Sequence, residues 1–214
     1  MSIAQNIAAV RAHIPAGVTL LCVSKFHPAE MIAEAYAAGE RDFGESHVQE
    51  LVKKHDLLPQ DIRWHMIGHL QTNKVRAIVP FVRLIHSVDS LHLLETIQRE
   101  AARINRVVNV LLEVHVAREE TKSGFSPAEL QNLLDSGVLS QMPNIHVEGI
   151  MGMATNTDDT VEIQRCFDTL SAIYRAHPEW NILSMGMSED YLQAIASGST
   201  MVRIGSAIFG ERQY

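Results

Sequence analysis

Val18-Thr19-Leu20-Leu21-Cys22-Val23-Ser24-Lys25-Phe26-His27-Pro28-Ala29-Glu30 is the stretch from which the fold of this chain can be read. From Val18 to Ser24 the run is short, apolar and partly β-branched, as expected for a parallel strand covered on both faces. Pro28 suits a first helical turn, where its missing N–H costs nothing, so a helix is expected from Pro28 to about Ala38, with Gly39 just past its end. Upstream, Ile3, Ile7, Val10 and Ile14 recur at helical spacing and Gly17 breaks the segment, which places an amphipathic helix before the first strand.

Downstream the strand and helix unit recurs without sequence repetition. Strands are expected near Arg41 to Phe43, Ile62 to Ile67, Arg83 to Val88, Val107 to Val114, Ile145 to Met151, Ile182 to Met185 and Met201 to Ile204. Helices are expected near His47 to His55, Thr72 to Val79, Leu91 to Ile104, Pro127 to Ser136, Thr160 to His177 and Glu189 to Ser197. Ser126-Pro127-Ala128-Glu129 is a strong helix start, with a serine cap, a first-turn proline and a glutamate three residues after the cap. Strict alternation implies a parallel sheet with right-handed crossovers, and eight strands point to a closed barrel. The expectation is a single (β/α)8 TIM barrel over residues 1–214 with an additional N-terminal helix, since no Pro/Gly/Ser-rich linker divides the chain. An open doubly wound sheet is the competing architecture.

The 214 residues carry 18 Lys plus Arg against 25 Asp plus Glu, a formal charge of −7, and are 46% hydrophobic. That composition supports a buried core, and the acidic balance argues against nucleic acid or an anionic membrane as partner. No apolar run approaches the roughly 18 to 20 residues that span a bilayer, and no basic segment precedes an apolar one at the N-terminus. With Cys22 and Cys166 the only cysteines, a reducing, cytoplasmic setting is expected. No heptad or exposed apolar stripe is evident, and a monomer is expected.

Function in such a barrel gathers at the C-terminal ends of the strands. Lys25 directly follows the first strand and is one of five lysines. At an apolar mouth its amine would lose proton affinity and attack an aldehyde; a lysine snorkelling into water is the alternative. Ser184-Met185-Gly186-Met187-Ser188 and Arg203-Ile204-Gly205-Ser206 end strands seven and eight, where barrels build anion sites from loop amides. Ser188 and Ser206 add hydroxyls, and Met187 flanks the loop. Helix capping is the plain alternative for Ser188, as ion pairing is for Arg203. His65 and Asn73 are candidates to line a pocket, with core and capping roles equally open. His65 and His69 are four apart, but Met66 stands where a zinc-protease helix has Glu, and no metal is expected. Phosphate-loop and dinucleotide glycine motifs are both absent.

Val23-Ser24-Lys25, Phe43-Gly44-Glu45, Val48-Gln49-Glu50, Trp64-His65, Ile67 to Lys74, Ile85 to Asp89 and the tail from Leu183 to Arg212 together resemble the pyridoxal phosphate homeostasis protein family, related to the N-terminal barrel of alanine racemase. The resemblance covers essentially the whole chain. It implies that Lys25 carries pyridoxal 5′-phosphate (PLP) as an aldimine, that Ser188, Gly205 and Ser206 hold the phosphate, and that Arg203 approaches the pyridine nitrogen. A cation there disfavours protonation of that nitrogen and weakens the ring as an electron sink. Lys122 matches a family lysine in the loop after strand five. The implied role is intracellular buffering or delivery of PLP, passed transiently to PLP-dependent apoenzymes, with indirect effects on amino-acid and keto-acid balance.

Two departures stand out. The family commonly has Gly-Glu-Asn-Tyr where this chain has Gly44-Glu45-Ser46-His47, and often a second lysine where this chain has His27. The alternative function is a PLP-dependent amino-acid racemase, which needs an acid/base group on each face of the α-carbon. Lys25 can serve one face, but Tyr36, Tyr174, Tyr191 and Tyr214 fall in helices or at the terminus, and none is an evident second base. The expectation is a binding protein without catalysis.

Overall fold

The computed structural model describes residues 2–119 and 123–211; Lys122 and Tyr214 lie outside them. In chain order the elements are α1 (Ile3–Arg11), β1 (Thr19–Val23), α2 (Ala29–Ala37), β2 (Asp42–Glu45), α3 (Val48–Leu57), β3 (Arg63–Met66), α4 (Val75–Ile78), β4 (Leu84–Val88), α5 (Leu91–Arg103), β5 (Val108–Val114), α6 (Pro127–Asp135), β6 (Ile145–Gly152), α7 (Thr160–Arg175), β7 (Ile182–Ser184), α8 (Tyr191–Ala196), β8 (Met201–Ile204) and α9 (Ser206–Phe209). The strands close in sequence order into a parallel barrel, with β8 returning to β1 through Leu20 opposite Val202 and Cys22 opposite Ile204. The fold is a (β/α)8 TIM barrel with an N-terminal helix, as the alternation implied. Among the described residues, no helix is long and apolar enough to cross a membrane.

Local chemistry explains most boundaries. Ser126 and Glu129 form the expected reciprocal cap of α6, with Pro127 in its first turn. Ser2 and Gln5 cap α1 in the same way, and its buried Ile3, Ile7 and Val10 face inward. Two expected helices differ. The segment from Thr72 begins as a 3-10 turn, Thr72–Lys74, before α4. The helix expected from Glu189 begins at Tyr191, because Met187 to Asp190 forms a separate turn in which the Met187 N–H donates to Asp190 Oδ1 at 2.6 Å.

The period of two along each strand sorts the core into two compartments. Leu20, Cys22, Phe43, Trp64, Ile85, Val110, Ile150, Leu183 and Val202 point outward and pack under the helices in one continuous cluster. Leu21, Leu84, Leu111, Met151 and Met201 point inward and form a separate, smaller cluster. Three of the strand positions two residues above that inner plug are polar: His86, Glu113 and Arg203 stand above Leu84, Leu111 and Met201, while Val23 and Met153 stand above Leu21 and Met151. The barrel interior thus joins a hydrocarbon plug to hydrogen-bonding groups beside and above it.

Candidate functional site at the barrel mouth

Lys25 sits in the turn that follows β1, partly exposed, and the residues on either side of it are tied down. On one side, Ser24 is buried: its N–H donates to the Gly44 carbonyl at 3.0 Å and its hydroxyl to Glu45 Oε1 at 2.6 Å. On the other, the Phe26 N–H donates to Glu50 Oε1 at 2.7 Å, and Phe26 holds a left-handed φ of 67° that an aromatic residue rarely adopts. Lys54 joins the two sides. Its buried ammonium donates to the Ser24 carbonyl at 2.8 Å, to Glu45 Oε1 at 2.8 Å and to Glu50 Oε1 at 2.6 Å. Burial pushes the Glu45 carboxyl up to about 7, against the lowering pull of Lys54 and Ser24.

Sequence reading missed this clamp. Lys54 looks like any helix lysine, and its one local signal is the four-residue spacing from Glu50. The two departures from the family pattern border the same turn. His47 lies tilted against Phe26, with ring centroids 5.4 Å apart. His27 is buried and stacks on Phe209 of α9 at 5.2 Å, which joins the lysine turn to the end of the barrel chain.

The other half of the site is built from the loops after β7 and β8. Gly186 has φ of 96°, and a Cβ there would lie 2.6 Å from Ala194 Cβ and 3.0 Å from Tyr191 Cα, so glycine lets this loop lie flat on α8. Its carbonyl accepts the Arg203 N–H at 2.9 Å, which joins the two loops. Ser188 does not cap α8; Asp190 holds that position, and Ser188 Oγ accepts the Gly205 N–H at 3.4 Å. A Cβ on Gly205 would stand 3.1 Å from the Val23 carbonyl. Gly205 therefore lies against the end of β1, two residues before Lys25. Ser206 opens α9 and is exposed, as is Met187 at 42%.

Arg203 is buried, with its guanidinium donating to the Ser184 carbonyl and hydroxyl, both at 2.8 Å, and to the Gly152 carbonyl at 3.0 Å. Burial lowers its pKa to about 10, with Asp190 and Glu113 opposing, so it stays cationic at neutral pH. His65 is placed differently from the other candidates. It is buried inside the barrel, and its two ring nitrogens face His86 at 2.9 Å and Asp42 at 3.1 Å. The structure thus brings together Lys25, Ser188, Gly205 and Ser206 around one edge of the mouth, keeps Arg203 just inside it, and sets His65 deeper.

A parallel eight-stranded barrel with a lysine after its first strand and glycine-serine loops after its last two defines a class. Residues 1–213 match the family described as alanine racemase, N-terminal domain. The pyridoxal phosphate homeostasis protein of Aquifex aeolicus is 41% identical over 91% of this chain and 87% of its own length. That of Pseudomonas aeruginosa is 39% identical over 100% of this chain and 97% of its own. The chain belongs to the pyridoxal phosphate homeostasis protein family. Among solved structures, PipY of Synechococcus elongatus with PLP bound aligns at a TM-score of 0.88 and 38% identity, covering 97% of this chain and 100% of that one. Alanine racemase from E. faecalis aligns at a TM-score of 0.83 with 18% identity over 58% of its chain, a likeness of fold alone.

Proposed function

We propose that this chain holds PLP at the barrel mouth through Lys25 and acts as a carrier and buffer of that cofactor rather than as a turnover enzyme. The observation that carries the reading is the contact of Gly205 with Val23, which sets the anion loops against the strand end bearing Lys25. The donor set fits a phosphorylated pyridine aldehyde. Gly205, without a side chain, approaches the Val23 carbonyl closely, Ser188 and Ser206 supply hydroxyls beside it, and Arg203 supplies a fixed cation. PipY, solved with PLP bound, and the names of the curated relatives support the same reading.

When bound, the cofactor supplies an aldehyde that condenses reversibly with an amine. Lys25 would provide that amine, held in place by the Ser24 and Phe26 anchors on either side. Ser188, Gly205 and Ser206 would hold the phosphate, with Met187 flanking it, and Arg203 would meet the ring nitrogen. A permanent cation at that nitrogen keeps it unprotonated, which favours holding the ring over using it as an electron sink. His65 acts from a distance, through its partners inside the barrel. Release to PLP-dependent apoenzymes, a cytoplasmic setting and a monomeric state complete the reading.

Borohydride reduction of the PLP-treated chain followed by peptide mass mapping tests it. The expected adduct is on Lys25, and it is lost in Lys25→Ala. An adduct at another lysine would remove the assignment, and Lys25-dependent racemisation of an amino-acid panel would overturn the carrier role.

A further inference from the structure

A line of hydrogen bonds crosses the barrel interior from β8 to β2, joining residues that are far apart in sequence. Arg203 Nη1 lies 2.8 Å from Ser184 Oγ, and Ser184 Oγ lies 3.2 Å from His86 Nδ1. His86 Nε2 lies 2.9 Å from His65 Nδ1, and His65 Nε2 lies 3.1 Å from Asp42 Oδ1. Asp42 is in turn held by Arg63, at 2.7 Å and 2.5 Å, on the neighbouring strand. His65 and His86 are both buried, and burial lowers both of their pKa values, His86 the more strongly. Both rings are therefore neutral near pH 7, each with one donor and one acceptor nitrogen.

The carboxylate end of the line fixes what lies between its ends, and the guanidinium end is compatible with it. A guanidinium only donates, so Ser184 Oγ accepts from Arg203 and keeps its own hydrogen free to turn toward His86 Nδ1. A carboxylate only accepts, so His65 carries its hydrogen on Nε2, toward Asp42, and its Nδ1 accepts from His86 Nε2. Starting from Asp42, both neutral rings carry their hydrogen on Nε2, and the Ser184 hydrogen completes the line at His86 Nδ1.

We infer that this line has a single polarity, with every hydrogen directed from Arg203 toward Asp42, and that His86 is a positioning residue that fixes the Arg203 guanidinium for the ring of the bound cofactor. Asp42 is the distant counter-charge, and His65 relays it. Reversing one histidine tautomer would set lone pair against lone pair at Asp42 or leave the Ser184 hydrogen without an acceptor. The arrangement thus holds Arg203 through Ser184 as well as through the backbone carbonyls of Ser184 and Gly152. The role of His86 toward the ring rests on the cofactor reading above; the polarity of the line does not.

Long-range proton–nitrogen correlation spectra of the ligand-free full chain test the polarity directly. The expected result is that His65 and His86 are both neutral and protonated at Nε2 near pH 7. Either ring protonated at Nδ1, alone or together with Nε2, would overturn it. For the positioning role, His86→Leu and His86→Gln are each loaded with PLP. Glutamine can accept from Ser184 through its carbonyl and donate to His65 through its amide, whereas leucine can do neither. The expected outcome is about tenfold weaker PLP retention in His86→Leu, the size of one lost charge-linked hydrogen bond, with an altered pH dependence of the cofactor absorption band. In His86→Gln retention returns to within about threefold of the unsubstituted chain, the smaller loss of an imperfect neutral hydrogen bond. Equal retention, or equal loss, in the two variants would overturn the positioning role. If the unsubstituted chain takes up no PLP, the cofactor reading falls and with it the role of His86, while the spectra still decide the polarity.

Discussion

β2 carries two carboxylates three residues apart that meet opposite environments. Asp42 faces the barrel interior at the start of the strand, where Arg63 and His65 overcome its burial and hold its pKa far below the ordinary carboxylate range. Glu45 faces the helix layer at the end of the strand, where burial outweighs Lys54 and raises its pKa to about 7. The same functional group on one strand thus serves as a permanent anion on one face and as a titratable clamp on the other. Their pH signatures oppose each other. Stability from Asp42 is present above its unfolded pKa near 3.8 and is lost as pH falls through it toward the lower folded value. For Glu45, the folded state binds the proton more tightly between 4.5 and about 7, so its contribution is full below that window and is lost as pH rises through it.

Lys54→Met breaks the clamp and should produce the largest effect. It leaves Glu45 at 0% exposure without its cation, and removing one partner of a buried ion pair costs about 3–5 kcal/mol. Glu45 can escape part of that cost by taking up a proton, so the deficit in urea unfolding should be larger at pH 8.5 than at pH 6. PLP retention should fall as well, because the Ser24 carbonyl and Glu50 lose the ammonium that links the two sides of the Lys25 turn. An equal deficit at both pH values would show that Glu45 does not titrate between them, and would break the contrast with Asp42.

Gly186→Ala tests the other side of the mouth, which is built from backbone rather than charge. A side chain at φ 96° is strained, and its Cβ would meet Ala194 and the Tyr191 backbone. A loss of about 1–3 kcal/mol is expected. Since no titrating group is involved, the deficit should be the same at pH 6 and pH 8.5. A pH-dependent loss would mean that the loop is coupled to Asp190, and the division into a charged half and a backbone half would fail.

Sequence patterns showed the barrel because its signals are local. Val18 to Ser24 is a run of neighbours, and Ser126 to Glu129 is a cap closed within one turn. Lys25 and the two glycine loops were legible for a related reason, since strand ends are where such a fold places function. The clamp and the interior line were not, because they join Ser24 to Lys54 and Asp42 to Arg203 across strands whose register the sequence does not state. His65 shows the gap plainly. Its strand and its inward face follow from alternation, but whether it reaches the mouth depends on its height in the barrel, and there it meets His86 and Asp42. The start of α8 was misplaced for the opposite reason, as Ser188 has a capping sequence while its hydroxyl is taken by Gly205 from the neighbouring loop.

Ser188→Ala should produce the smallest change and offers the finest test of the comparison. The hydroxyl makes one long bond, 3.4 Å to the Gly205 N–H, and its removal opens no core cavity, so the unfolding midpoint should barely move. Losing one hydroxyl toward a bound phosphate is worth about 0.5–1.5 kcal/mol, which is roughly a two- to tenfold loss of PLP retention. The loss should shrink for pyridoxal, which lacks the phosphate, and the borohydride adduct should stay on Lys25. If PLP and pyridoxal are weakened equally, Ser188 acts by shaping the Gly205 loop rather than by touching the anion. The backbone half of the mouth would then hold the phosphate through its amides and Ser206.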